Sequence, residues 1–190
     1  PDGRIGIKAH GFLPENGALR HEQTDRVPYK AWAQGGHCTL TPGDVTDNGY
    51  VYNWISAGER CHGWKVDEVD YDGHNATDLA IRMCEERNNP DFCVEISQTC
   101  AGQNLAVKGF RELLLQGRIV LEENPLLLWC LGNAIEVQNN YGDVKLNKKH
   151  KDDSQRIDPL AAVMNALARV LVVSKKPDVA DKLREGNFSF

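Results

Sequence analysis

Two aspartates and a run of basic residues are the parts of this chain whose types and spacing suit chemistry. Asp158 stands directly before Pro159, at the mouth of a segment in which Leu160, Val163, Met164, Leu167 and Leu171 fall on one helical face. Proline fits the first helical position, where its missing N–H would have been an unsatisfied donor. A carboxylate at such a helix start lies in the positive end of the helix dipole, which favours the anion. Asp72 is the second acid. It closes the stretch WKVDEVDY at 64–71, whose Val66, Val69 and Tyr71 mark a strand. In open α/β sheets ligands collect just beyond the carboxyl ends of parallel strands. Asp70, two residues back on the same strand face, is an additional candidate metal ligand, whereas Asp67 reads as surface. Each acid also has a plainer reading: Asp before a helix is a favoured cap, and Asp before Gly is a favoured turn former.

Brought together, two carboxylates repel unless a cation lies between them. Mg²⁺ or Mn²⁺ suits an all-oxygen site and keeps waters for a substrate. A pair of such ions, roughly 3.5–4 Å apart, can activate a water and stabilise the leaving oxygen of a phosphodiester. Lys145, Lys148, Lys149, Lys151 and Arg156 would then hold a nucleic-acid backbone, with salt-sensitive affinity and little sequence choice. The plain alternative is a solvated lysine-rich loop.

The elements that must position these groups are those of one domain, since 190 residues suffice for a real core. The net charge of −5 argues against a protein that coats nucleic acid, but not against an acidic site with a basic rim. No run spans a bilayer and no signal-peptide pattern opens the chain, so a cytoplasmic protein is expected. Six cysteines without a Cys-x-x-Cys pair read as reduced, mostly buried thiols. His37-Cys38 and Cys61-His62 match no zinc-finger spacing.

In order, Arg4 to Leu13 reads as the second arm of a hairpin, and Pro14 to Pro28 as a loop. A short helix is expected over Tyr29 to Gln34, a strand over His37 to Thr41, and a helix over Thr46 to Ala57. Strand, helix and strand over Trp64–Tyr71, Ala76–Glu86 and Phe92–Ile96 imply a parallel crossover. Helices follow over Gln103–Gln116 and from Asn124-Pro125, with a short strand at Ile119–Leu121 between them. Leu127, Leu128, Trp129 and Leu131 are expected to be largely buried. Ile135–Val137 and Val144–Leu146 flank a hairpin turn. Residues 1–173 form the expected domain and 174–190 a polar tail.

The order of short motifs resembles the C-terminal nuclease domain of phage terminase large subunits, the DNA-packaging motor proteins of tailed phages. The motifs are FLPE at 12–15, DRVPYKAW at 25–32, LTPGDVTD at 40–47, YDGHNA at 71–76, ELLLQGRIV at 112–120, NPLLLWCLGNA at 124–134 and RIDPLAAVMNALARVL at 156–171. The resemblance covers nearly the whole chain before the tail. It implies an RNase H-like mixed sheet flanked by helices, with three acids binding two divalent ions that cut double-stranded DNA. Asp72 and Asp158 match two of those acids. His74 stands where the family often has an aromatic, and Asp47 matches a position read as structural.

No residue matches the family's first acid, which belongs on a central strand upstream of Arg4, so that strand is expected to be missing. No phosphate-binding G-x-x-x-x-G-K-[ST] loop occurs either. The expectation is a piece of a longer phage or prophage protein, with weak metal binding and little cleavage alone. Its implied partners are duplex DNA, the terminase small subunit, the portal and the ATPase domain of the same polypeptide. The alternatives are a non-catalytic DNA-binding or assembly module of the motor, and another RNase H-like nuclease such as a resolvase.

Overall fold

The computed structural model describes residues 3–74, 76–149 and 155–173. Strands β1 (Ile5–Ile7) and β2 (Gly11–Pro14) lead into helix α1 (Glu15–Asp25), α2 (Tyr29–Gln34), β3 (Cys38–Thr41) and α3 (Asn48–His62). Then come β4 (Val69–Tyr71), α4 (Thr77–Arg87), β5 (Cys93–Glu95), α5 (Cys100–Leu115) and β6 (Ile119–Leu121). The remaining described elements are α6 (Pro125–Asn133), β7 (Ala134–Gln138), β8 (Val144–Lys148) and α7 (Asp158–Val173).

Among the described residues the strands form four two-stranded ladders: β1 with β6, β2 with β3 and β4 with β5, all parallel, and the antiparallel hairpin β7–β8. Both strand senses are present, as a mixed architecture requires, but among the described residues the ladders are not joined into one sheet. The expected hairpin arm at Arg4 to Leu13 is corrected to two separate strands. Ile5 pairs with Ile119 and Gly11 with Cys38, so each strand takes a partner distant in sequence instead of a neighbouring arm. The expected loop after Pro14 is corrected to α1. That helix shows almost no apolar stripe because its inward positions are Gly17, Ala18 and Asp25. Only the last three residues of the expected 64–71 strand pair with a neighbour. Trp64 is instead drawn onto α3, its N–H donating to the Gly58 carbonyl at 3.1 Å. A Cβ on Gly58 would lie 2.0 Å from the Trp64 ring, so glycine is required there.

The core lies between α7, α6 and α5. Leu160, Met164 and Leu167 of α7 bury as the helical spacing predicts, against Leu127, Cys130, Ala106 and Tyr29. Leu128 is exposed, contrary to expectation, because α6 has only one covered face. Asn124 caps α6, its Oδ1 accepting from the N–H groups of Leu126 and Leu127 at 3.0 and 3.2 Å. Its amide nitrogen also reaches the Ala9 carbonyl at 2.8 Å, tying the helix start to the segment between β1 and β2.

A part-buried chain of side-chain amides crosses the layers. Gln98 donates to Asn165 Oδ1 at 3.1 Å and to the Ile96 carbonyl at 2.8 Å. Gln103 donates to Gln98 Oε1 at 2.6 Å and accepts from the Leu146 N–H at 3.3 Å. Asn104 accepts from the Val144 N–H at 3.1 Å. Side chains of α5 therefore satisfy the open edge of β8, which would otherwise leave donors without partners.

Candidate functional site

Asp158 is the first residue of α7. The Ile157 carbonyl accepts from the Ala161 N–H at 2.9 Å, so Ile157 holds the cap position and the Asp158 carboxylate is left free of that work. The carboxylate is exposed and lines a cleft of about 390 Å³ with His10, Phe12, His21, Tyr29 and Arg156. Behind the cleft lies Cys130, whose thiol is pushed up to about 12 by burial and, secondarily, by the Asp158 charge.

Arg156 points inward. Its Nε lies 3.4 Å from Asp25 Oδ2 and its terminal nitrogen 3.1 Å from His21 Nδ1. The Asp25 side chain is fully buried. It also accepts from the Tyr29 hydroxyl at 2.7 Å and from Thr24 at 2.9 Å. Burial and that bond raise the Tyr29 hydroxyl well above the usual phenol range, which keeps it a donor. The Arg156 carbonyl accepts from Asn133 Nδ2 at 3.1 Å, so this residue is held at both ends.

Asp72 lies just past the end of β4 and is exposed; its Oδ1 accepts from the His74 N–H at 3.2 Å, a turn-forming contact. Asp72 does not line the cleft around Asp158. The direction of β4 is nonetheless set. Glu68, just before the strand, forms a two-pronged pair with Arg169 of α7 at 2.8 Å on each prong. At the strand's other end the Tyr71 carbonyl accepts from the Ile96 N–H, and Gln98 reaches Asn165. Moving forward along β4 therefore means moving back along α7, toward Asp158. From Asn165 to Asp158 about 10 Å of helix remain.

Asp70 is half-buried, with Oδ1 lacking a hydrogen-bond partner among the described residues. Burial, with the neighbouring Glu68 carboxylate, pushes its carboxyl up to about 7. Glu68 moves the other way, held down by Arg169. The two carboxyls of this pair are thus shifted in opposite directions, Asp70 up and Glu68 down. Asp47 caps α3, accepting from the Gly49 N–H at 2.7 Å, in line with its structural reading.

Of the basic residues, Lys145 donates to the Gln98 carbonyl at 3.4 Å, Lys148 is on β8, and Lys149 is exposed beside it. Lys151 and the 174–190 segment lie outside the described residues. Among the described residues, no three His, Cys, Asp or Glu side chains gather as a metal-binding group. The cysteines are free, but only Cys38 and Cys130 are buried, fewer than expected. Sequence reasoning missed His10, His21 and Tyr29 at the cleft, and Asp25 buried behind them. Two of them, Asp25 and Tyr29, fall in DRVPYKAW, where an Asp and a Tyr four residues apart is the available signal.

The α/β arrangement of the described residues, with an exposed acid at the start of α7, fits a known class. The family described as terminase large subunit, endonuclease domain, matches residues 1–173, and the chain belongs to it. It is similar to Protein YmfN of Escherichia coli (strain K12), at 26% identity over 157 residues, which are 82% of this chain and 33% of YmfN. The large terminase subunit of Enterobacteria phage HK97 is 27% identical over 170 residues, 85% of this chain and 31% of that protein. The crystal structure of the HK97 bacteriophage large terminase matches with a TM-score of 0.71 at 25% identity, over 83% of this chain and 32% of that one. The RNase H-like α/β class expected from the sequence agrees with this match. The chain spans about a third of the length of these relatives. No helix among the described residues is long and apolar enough to cross a membrane.

Proposed function

We propose that this domain is the divalent-metal-dependent endonuclease unit of a DNA-packaging terminase, hydrolysing phosphodiesters of duplex DNA. The observation that carries the reading is Asp158: an exposed carboxylate at a helix start, relieved of capping and lining a cleft, with β4 running toward its end of α7. Asp158 and Asp72 would hold Mg²⁺ or Mn²⁺, with Asp70 as a further oxygen donor. The donor set fits, because all its atoms are hard oxygens and both main acids are open to water. Such ions supply an activated water and charge neutralisation at the leaving oxygen. Asp158 and Asp72 would hold the charge of the site in place, and Lys145, Lys148 and Lys149 would hold the DNA backbone. Without a match to the family's first acid, metal binding is weak and cleavage slight in this chain alone. In a longer polypeptide that acid would come from an upstream strand. The small subunit, the portal and the ATPase domain are the proposed partners.

The test is nicking of supercoiled plasmid with Mn²⁺, by this chain and by one extended upstream. Slight cleavage by the first and robust cleavage by the second, lost in Asp72→Asn and Asp158→Asn with the fold intact, is the expected result. Salt-sensitive duplex binding with no cleavage in either would instead establish a DNA-gripping assembly module, the reading favoured by the lysines on and beside β8. Preference for branched substrates would establish a resolvase.

A further inference from the structure

We propose that Arg156 is a positioning residue for Asp158, acting inward on Asp25 and not outward on DNA. This rests on the reading of Asp158 as a metal ligand. Asp25 is a carboxylate with no solvent exposure, the Arg156 guanidinium meets it at 3.4 Å, and a ring nitrogen of His21 stands 3.9 Å away. If Arg156 swung toward a phosphate, it would strand a buried anion, which is far costlier than any single surface phosphate contact is favourable. The arginine is also fixed through its backbone, where Asn133 binds its carbonyl and Lys149 donates its N–H to the Asn133 carbonyl at 2.8 Å. Side chain and main chain are thus both held two residues before the acid. The next carbonyl, that of Ile157, starts α7. The path from Tyr29 and Thr24 through Asp25 and Arg156 leads to the position of the Asp158 carboxylate. Three elements, α1, α2 and the end of α6, converge on it.

The fork of the guanidinium matters here as much as its charge, since it meets Asp25 and His21 together. A lysine would keep a phosphate contact but not this pair. The experiment therefore compares Asp25→Asn, Arg156→Lys, Arg156→Gln and the Asp25→Asn/Arg156→Gln double variant of the 190-residue chain. The double variant carries no buried unpaired charge and so guards against simple unfolding. Mn²⁺ broadening of the Asp158 and Leu160 amide resonances reads the metal. All four variants should need about tenfold more Mn²⁺, as for loss of an outer-shell partner. Hydrogen exchange at the Ala161 amide reads the helix start without metal and should quicken in all four. Duplex binding should keep its affinity and its salt slope.

A salt slope that falls by about one in Arg156→Gln but not in Arg156→Lys would mark a phosphate contact and overturn the proposal. So would unchanged exchange at Ala161 in Arg156→Lys and Asp25→Asn. Absent Mn²⁺ broadening in the wild type, or broadening indifferent to Asp158→Asn, would sink the metal reading alone, and the exchange arm would still decide the role of Arg156.

Discussion

Replacing Asp70 by Asn should change how stability responds to pH. The carboxyl is raised from 3.8 to about 7 by burial and by Glu68. A raised acid stabilises the fold through its proton. The contribution is complete below about 3.8 and disappears as pH rises through about 7. At about 1.36 kcal/mol per pH unit the ceiling is about 4 kcal/mol. Asp70 is only half withdrawn from water, so screening reduces this to about 2 kcal/mol. Asp70→Asn removes the titration and keeps a donor for Glu68, which Arg169 holds ionised. Urea unfolding of both chains in EDTA, at pH 5 and pH 8, measures the effect at equal m. From pH 5 to pH 8 the variant should gain about 1–1.5 kcal/mol on the wild type, or about 3–5 °C in Tm for a chain of this size. A difference that stays constant with pH, or one that favours the wild type at pH 8, refutes the reasoning. Adding Mn²⁺ at pH 8 then asks whether Asp70 joins the metal: if it does, the wild type alone is stabilised.

Asn124→Ala should cost about 2 kcal/mol in urea unfolding, because it removes a cap and leaves the half-buried Ala9 carbonyl without its donor; a loss under about 1 kcal/mol would contradict the assignment. Lys148→Gln with Lys149→Gln should lower the salt slope of duplex binding by about 1.8 and leave stability unchanged, read by fluorescence anisotropy between 50 and 200 mM salt. An unaltered slope would remove β8 from the DNA-binding surface.

Legibility followed the range of the interaction. Asn124-Pro125 announced a helix because cap and first turn are neighbours in sequence, and the structure begins α6 at Pro125. Leu160, Met164 and Leu167 were readable because helical spacing is itself local. The strands at Ile5–Ile7 and Gly11–Pro14 were seen as extended but given the wrong partner, since Ile119 and Cys38 leave no mark beside them. Helix α1 escaped because its covered side carries Asp25 in place of a hydrophobe, a residue tolerated there only through Tyr29, Thr24 and Arg156. The same long-range partner hid the inward direction of Arg156. Its charge was legible, but which way it faced was not. Asp158 was legible as a residue at a helix mouth; that Ile157 and not Asp158 takes the cap position needed coordinates.

The relay of neutral amides from Asn165 through Gln98 and Gln103 to the backbone of β8 carries no net charge and does not titrate. Counter-ions therefore have nothing in it to weaken. The spacing it sets between the last helix and the lysine-bearing strand should persist across ionic conditions that loosen a phosphate grip. Any release of nucleic acid by added electrolyte would then happen at the surface, over a frame whose dimensions stay constant.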